Sequence, residues 1–435
     1  MIAHRPFRIS DGSLIRGLAL AIAATALTVP VALADTSPAD TSTADTSHSW
    51  TQWGGEDHAF KAPSGELKDT WPETGPPKLW ERELGEGYSA ILVEDGKLYT
   101  QYRIDEKEAV AALDAATGKT LWERRYEASP ADGHVDQFGR GPRSTPLIAG
   151  DQLFTIGVSG VLNCLNKKTG EIQWSKDLWQ DVGGSVLNHG YSSSPIAYKD
   201  QVIILAGGEG HAFLSLNRKD GSVKWQSQSF TNSYSTPKVF NIAGEDHMIT
   251  YMAQEIVGMN PNTGAFEWSY ELGNQWGQNI NMPVLVDGQY LFFSTSGAGA
   301  RGVKLARKDG KVQAEEIWSS RKIQFYHVTS VLEGEYVYGS TGNGSPSFMA
   351  AVHVPTGKIA WRKRGYAKAN IIQADGKLFI LDENGVLYMT EASPEDLKIL
   401  AQTQILERPA WTVPTILGKT MYIRGNGKIM ALNLG

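Results

Sequence analysis

Six times along the chain a Thr-Gly or Asp-Gly pair runs ahead of a tryptophan: Thr117-Gly118 before Trp122, Thr169-Gly170 before Trp174, Asp220-Gly221 before Trp225, Thr263-Gly264 before Trp268, Asp309-Gly310 before Trp318 and Thr356-Gly357 before Trp361. The Asp309 copy alone carries an insertion. A short alternating apolar segment precedes each pair, as in AVAALDA, GVLNCLN and AFLSLNR, and another follows it and ends in the indole. A turn pair between two period-two runs is a β-hairpin signal, with glycine supplying the positive φ of the turn.

A second hairpin family alternates with the first. ILVEDGKLYT, PLIAGDQLFTI, PIAYKDQVIIL, VFNIAGEDHMITY, PVLVDGQYLFF, SVLEGEYVYG, IIQADGKLFIL and TILGKTMYI make eight, with neighbouring turns 42 to 54 residues apart. Two hairpins per unit give four strands, and a four-strand repeat of this period predicts the blades of a β-propeller. No stretch carries a helical apolar period of useful length. The seventh unit replaces the tryptophan phrase with SPEDLKILAQ, and the eighth, TVPTILGKTMYIRGNGKIMALNLG, supplies three strands before the chain stops. Near the start, PKLWEREL carries Trp80 with no hairpin partner before it. Residues 78–85 are therefore expected to be the outermost strand of the last blade, closing an all-β ring of eight blades and removing its exposed sheet edges. Trp80, Trp122, Trp174, Trp225, Trp268, Trp318 and Trp361 are read as structural, each indole covering the adjoining blade.

Composition narrows the setting. Arg5, Arg8 and Arg16 precede an apolar run from Leu18 to Val31 that ends in Ala32-Leu33-Ala34, so residues 1–34 read as a cleavable export signal and the protein is expected to be periplasmic or secreted. Residues 35–49, DTSPADTSTADTSHS, have almost nothing to bury and read as a disordered tether; residues 50–435 form a single ring domain. A net charge of -6 disfavours nucleic acid as a partner, because phosphate binding rests on clustered Lys and Arg. No span of the membrane is expected. Cys164 is the single cysteine, which excludes an internal disulfide and a cysteine zinc site, and its alternating apolar run places it in the core.

Strand parity locates the site. If the innermost strand of each blade runs down, both turn families share the bottom face and the blade crossings share the top. The crossings read GEGYS, GRGPRSTP, LNHGYSSSP, TNSYSTP, GQNINMP, QFYHVTS, AKANI and RPAWTVP. They nominate Tyr88, Arg143, His189, Tyr191, Tyr234, Asn281, Tyr326, His327 and Trp411 for the channel mouth, as loops on a rigid scaffold carry sites. Rigid aromatic and amide groups around a concavity suit a polar ligand such as a protein segment or a carbohydrate. Ser144, Thr145, Ser194 and Thr236 read as hydroxyls that satisfy backbone groups at strand starts. Arg143 fits a tie between crossings as well as a ligand contact, and His189 and His327 fit a general base, a metal ligand or a structural role. No catalytic set and no metal site is assigned.

The pattern Ala112-x-Asp114-x-x-Thr117-Gly118-x-x-x-Trp122, the opening WTQWGG and the stretch GPPKLWERELGEGYSAILVEDGKLY resemble the pyrroloquinoline quinone (PQQ)-like propeller family of exported bacterial proteins, from about Trp50 to Gly435. The resemblance implies a fold that hosts both quinoprotein alcohol dehydrogenases and an outer-membrane assembly scaffold lipoprotein. The enzymes of that family hold PQQ with calcium beside a disulfide of adjacent cysteines, which this chain cannot form, and the scaffold members are anchored by an N-terminal cysteine, which it lacks. The expected function is a binding or scaffold module acting through the top face and channel, without a cofactor, as a monomer, on an envelope protein segment or carbohydrate. A PQQ-dependent alcohol or sugar dehydrogenase is the alternative implied by the resemblance. A polysaccharide lyase or hydrolase is the alternative suggested by Tyr, His and Arg at the mouth.

Overall fold

The computed structural model describes residues 8–9, 49–327, 329–342, 346–425 and 427–435. Apart from Arg8–Ile9 and Ser49, the export signal and tether assigned from sequence lie outside the described residues. Eight antiparallel sheets of four strands form a closed ring, and among the described residues there is no α-helix. Blade 1 runs Leu92–Glu94, Lys97–Ile104, Lys107–Asp114 and Thr120–Glu127 from the axis outward. Blades 2 to 7 repeat this order. The two-residue strand Arg8–Ile9 lies against the outer strand of blade 4, Phe266–Glu271. Among the described residues no helix is long and apolar enough to cross a membrane.

Closure follows the sequence expectation. Lys78–Glu83 pairs antiparallel with Lys428–Asn433, so blade 8 takes its three inner strands from the carboxyl end and its outer strand from near the amino end. A buried guanidinium completes the seam: Arg424 donates to Ser89 O (3.3 Å), Thr100 Oγ1 (3.0 Å) and Gln101 O (2.8 Å) from Nη1 and to Gly85 O (3.1 Å) from Nη2.

The repeated phrase encodes a joint with two sides. Within its own blade each tryptophan faces a small residue on the third strand: Trp80 with Ala431, Trp122 with Ala112, Trp174 with Cys164, Trp225 with Ser215, Trp268 with Gly258, Trp318 with Gly302 and Trp361 with Ala351. A register shift accompanies each pair, bending the outer strand as a β-bulge does. Cys164 is thus the small partner of Trp174, which accounts for its burial. Across the blade boundary, Trp80 Nε1 donates to Ala115 O, Trp122 to Lys167 O, Trp174 to Arg218 O, Trp318 to Val354 O and Trp361 to Ser393 O, each a carbonyl beside the next blade's outer turn. Two copies depart. The insertion lengthens blade 5 to Gly299–Lys308 and Lys311–Ser320, which carries its turn away from Trp268, and that indole is buried against Leu305, Val312 and Ala314 instead. In blade 7 the pair is reversed, with Met389 on the third strand facing Ala401.

Candidate functional site: a floored cavity at the top of the ring

The crossings converge on the axis because their strand starts are tied to one another. Thr145 Oγ1 accepts from Ala90 N (3.1 Å), Ser194 Oγ from Thr145 N (2.9 Å), Thr236 Oγ1 from Ser194 N (3.0 Å) and Thr329 Oγ1 from Ile371 N (2.7 Å). Ser144 Oγ donates to Ile156 O (2.7 Å). These hydroxyls satisfy the backbone groups that a sheet start would otherwise leave buried and unpaired.

The channel is not open from end to end. Trp50 and Val93 exchange backbone bonds, Ile148 N donates to Thr51 O, Lys238 Nζ donates to His58 O, and Gln373 accepts from Ala62 N while donating to Phe60 O. Residues 50–63 therefore cross the turn end of the channel as a strap, with Trp53 Nε1 on Met282 Sδ (3.1 Å) and the Trp53 and Phe60 rings edge to face at 5.2 Å. Sequence reasoning placed the start of the domain at Trp50 but not this path, since the strap contacts residues hundreds of positions away. Below it lies a cavity of about 530 Å³ lined by Asp57, His58, Lys238 and Phe240, among others. Above it lies one of about 680 Å³, floored by Trp53, Phe60 and Met282 and walled by the crossings.

Of the nine residues nominated for the mouth, Tyr88, Arg143, His189, Tyr234, His327 and Trp411 line this upper cavity. Three do not. Tyr191 is fully buried between blades 2 and 3, donating to Leu205 O (2.8 Å); Tyr326 is also fully buried, and donates to Gln278 Oε1 (3.3 Å); Asn281 is buried and donates to Ser330 Oγ (3.0 Å). Parity along a crossing is not that of a strand, so a segment's position did not determine where each side chain points. The wall also holds residues that were not nominated, among them Phe138, Trp276, Gln278 and Lys368. Trp276 and Lys368 lie in crossings whose composition was the available signal. Phe138 belongs to the long first crossing, where Asp136–Phe138 forms a short 3-10 turn that brings the ring over the axis.

Five rings form an arc on one side: Tyr88 to Trp411 at 5.4 Å between centroids, Trp411 to Phe138 at 5.5 Å, Phe138 to His189 at 5.4 Å and His189 to Tyr234 at 6.1 Å. Burial, then the charge of Arg143, lowers the pKa of His189. His327 is open to the cavity yet ringed by protein; that desolvation, then Lys368 and His189, pushes it down to about 3. Both imidazoles are neutral at ordinary pH. Burial lifts Tyr234 to about 12, so its phenol keeps its proton.

A family model described as outer membrane protein assembly factor BamB matches residues 106–363, more than half of the chain. The chain belongs to that family. BamB of Shewanella oneidensis is 22% identical over 325 residues, which cover 70% of this chain and 76% of that protein. Among solved structures, BamB from Moraxella catarrhalis superposes with a TM-score of 0.56 at 15% identity, covering 82% of this chain and all of that one. A quinohemoprotein alcohol dehydrogenase from Pseudomonas putida superposes with a TM-score of 0.65 at 12% identity, covering 89% of this chain and 80% of that enzyme. These structural likenesses establish the fold.

The dehydrogenase likeness raises the question of PQQ and calcium, and the residues present do not fit that pair. Calcium takes six to eight oxygen ligands, commonly carboxylates, and among the described residues no Asp or Glu lines the upper cavity. Among the described residues no cluster of three or more His, Cys, Asp or Glu is placed to hold a metal ion, and Cys164 is buried in the blade 2 sheet.

Proposed function

We propose that this BamB-family ring is an envelope binding module, exported by its amino-terminal signal, that seats a segment of a partner protein in the upper cavity and on the surrounding top face. The observation that supports the reading is the cavity itself: about 680 Å³, closed below by the chain's own strap, open above, and walled by rigid aromatic rings on an eight-bladed scaffold. Such a wall supplies contact area at little entropic cost, because each ring is held by its neighbours. The family description points the same way, towards assembly work on other proteins.

The test is site-specific photocrosslinking in envelope preparations. A crosslinker at Trp276, which lines the cavity and is 54% exposed, is compared with one at Lys219 on an exposed outer turn of the bottom face. The expected result is a discrete protein adduct from position 276 and none from position 219. Equal labelling from both, or none from either, removes this reading.

A further inference from the structure

Among the described residues, the charged side chains that line the upper cavity, Arg143 and Lys368, are both basic. Arg143 spends Nη2 on the carbonyls of Gly139 (2.9 Å) and Phe138 (3.4 Å), while its Nη1 is buried without a hydrogen-bond partner. The carboxylate that acts on it through space, Glu108, is turned into the seam between blades 1 and 2, where it accepts from Val158 N (2.7 Å) and Tyr126 OH (3.0 Å). Lys368 stands 3.3 Å from Glu383 and 4.9 Å from the centre of the Trp411 ring, but Glu383 is shared with Arg408 at 3.5 Å. The wall therefore carries an uncompensated positive charge with an unused donor edge, and burying such an edge is costly unless an anion meets it.

We propose that the segment bound in this cavity is acidic and aromatic, with a carboxylate on Arg143 supported by Lys368 and a ring against the arc of Tyr88, Trp411 and Phe138. This rests on the binding reading above and adds the chemistry of the occupant. The unused Nη1 of Arg143 can donate one charge-assisted bond to a carboxylate, and offset or edge-to-face ring contacts add roughly 0.5–1.5 kcal/mol each beyond burial. An acidic sugar fits less well. It shares the carboxylate but brings no aromatic ring to the arc.

Calorimetry separates these with defined probes: acetyl-Tyr-Asp-Tyr-Asp-amide, its Asn counterpart acetyl-Tyr-Asn-Tyr-Asn-amide, its ring-free counterpart acetyl-Ala-Asp-Ala-Asp-amide, and trigalacturonate. The first is expected to bind, with affinity that falls as salt rises, and each counterpart to bind at least tenfold more weakly. Arg143→Gln is expected to abolish the preference for Asp over Asn. Lys368→Gln, at a partly exposed position, is expected to reduce that preference severalfold. Equal binding of the Asn peptide, tighter binding of trigalacturonate, or no binding of the acidic peptide overturns the proposal. If a discrete adduct still forms from Trp276 in those cases, the chemistry assigned to the occupant is wrong and the binding module stands; if no adduct forms, the module reading falls with it.

Discussion

Trp80, in the outer strand of blade 8, covers Gly118, in the outer turn of blade 1, so closely that a Cβ on Gly118 would stand 2.6 Å from its Cε3 atom. Gly118 also has φ +70, a conformation that side chains resist. The two residues lie on either side of the point where the ring closes, so this one contact locks the last blade to the first.

Gly118→Ala is expected to destabilise the protein by about 2–4 kcal/mol, combining backbone strain with overpacking. Gly133 provides the control, because its φ is +82 with nothing within 4 Å of an added Cβ. Gly133→Ala is expected to cost only about 1 kcal/mol. Urea midpoints measure the difference, and equal losses would show that the indole does not press on Gly118.

Arg424 holds the inner side of the same seam through bonds to four acceptors. Arg424→Met takes the donor from three carbonyls and the Thr100 hydroxyl, at a cost of about 3 kcal/mol or more. Hydrogen exchange is expected to rise first in residues 78–83 and 428–433. Uniform loss of protection around the ring would argue against a local seam.

Acid is expected to loosen the strap. Burial first, then the charge of Lys238, pushes His58 down to about 4, while its Nδ1 contacts Trp53 O at 2.6 Å. A base with a depressed folded pKa contributes stability that is present above its unfolded value near 6.5 and is lost as pH falls towards 4. The loss is on the order of 1–2 kcal/mol after allowance for partial exposure. His58→Asn keeps a donor and tolerates the local φ of +50. Exchange in residues 50–62, corrected for intrinsic rates, should rise on acidification in the parent and change little in the variant.

Glu108 works in the opposite direction. It is fully buried, and that burial raises its carboxyl to about 7. Stability from a raised acid is complete below about 4.5 and is lost as pH climbs through 7, a span of about 3 kcal/mol. Glu108→Gln should flatten the stability profile between pH 5 and 8, with unchanged acceptor geometry towards Val158 N. A profile identical to the parent's would mean that another group carries the dependence.

Calcium is expected to add nothing to any affinity for PQQ, since among the described residues no carboxylate lines the cavity to hold the ion. Titration of the protein with the quinone, with and without calcium chloride, should give superimposable curves and no alcohol-dependent dye reduction. A calcium-dependent increase accompanied by turnover would reinstate the dehydrogenase reading.

Much of the architecture was legible because it is periodic. Hairpins recur every 42 to 54 residues, and the unpaired Trp80 phrase near the start matched the missing strand near the end. The mouth was legible only as composition. Tyr88, His189 and Trp411 reached the cavity, while Tyr191, drawn from a crossing of the same kind, turned into the seam between blades 2 and 3, and Tyr326 was buried with its hydroxyl on Gln278. Crossings have no repeating dihedral pattern, so the direction of a side chain there depends on which neighbour its polar end can satisfy.

Local patterning by itself determined the number of blades, the identity of their tryptophan joints and the way the ring closes, because each of these rests on strand period and turn chemistry encoded within a few residues. The path of residues 50–63 across the channel, the arc of five rings and the basic wall were decided only by the tertiary structure. Those features join segments separated by up to several hundred residues, and burial, hydrogen-bond satisfaction and charge compensation exist only once the ring has brought them together.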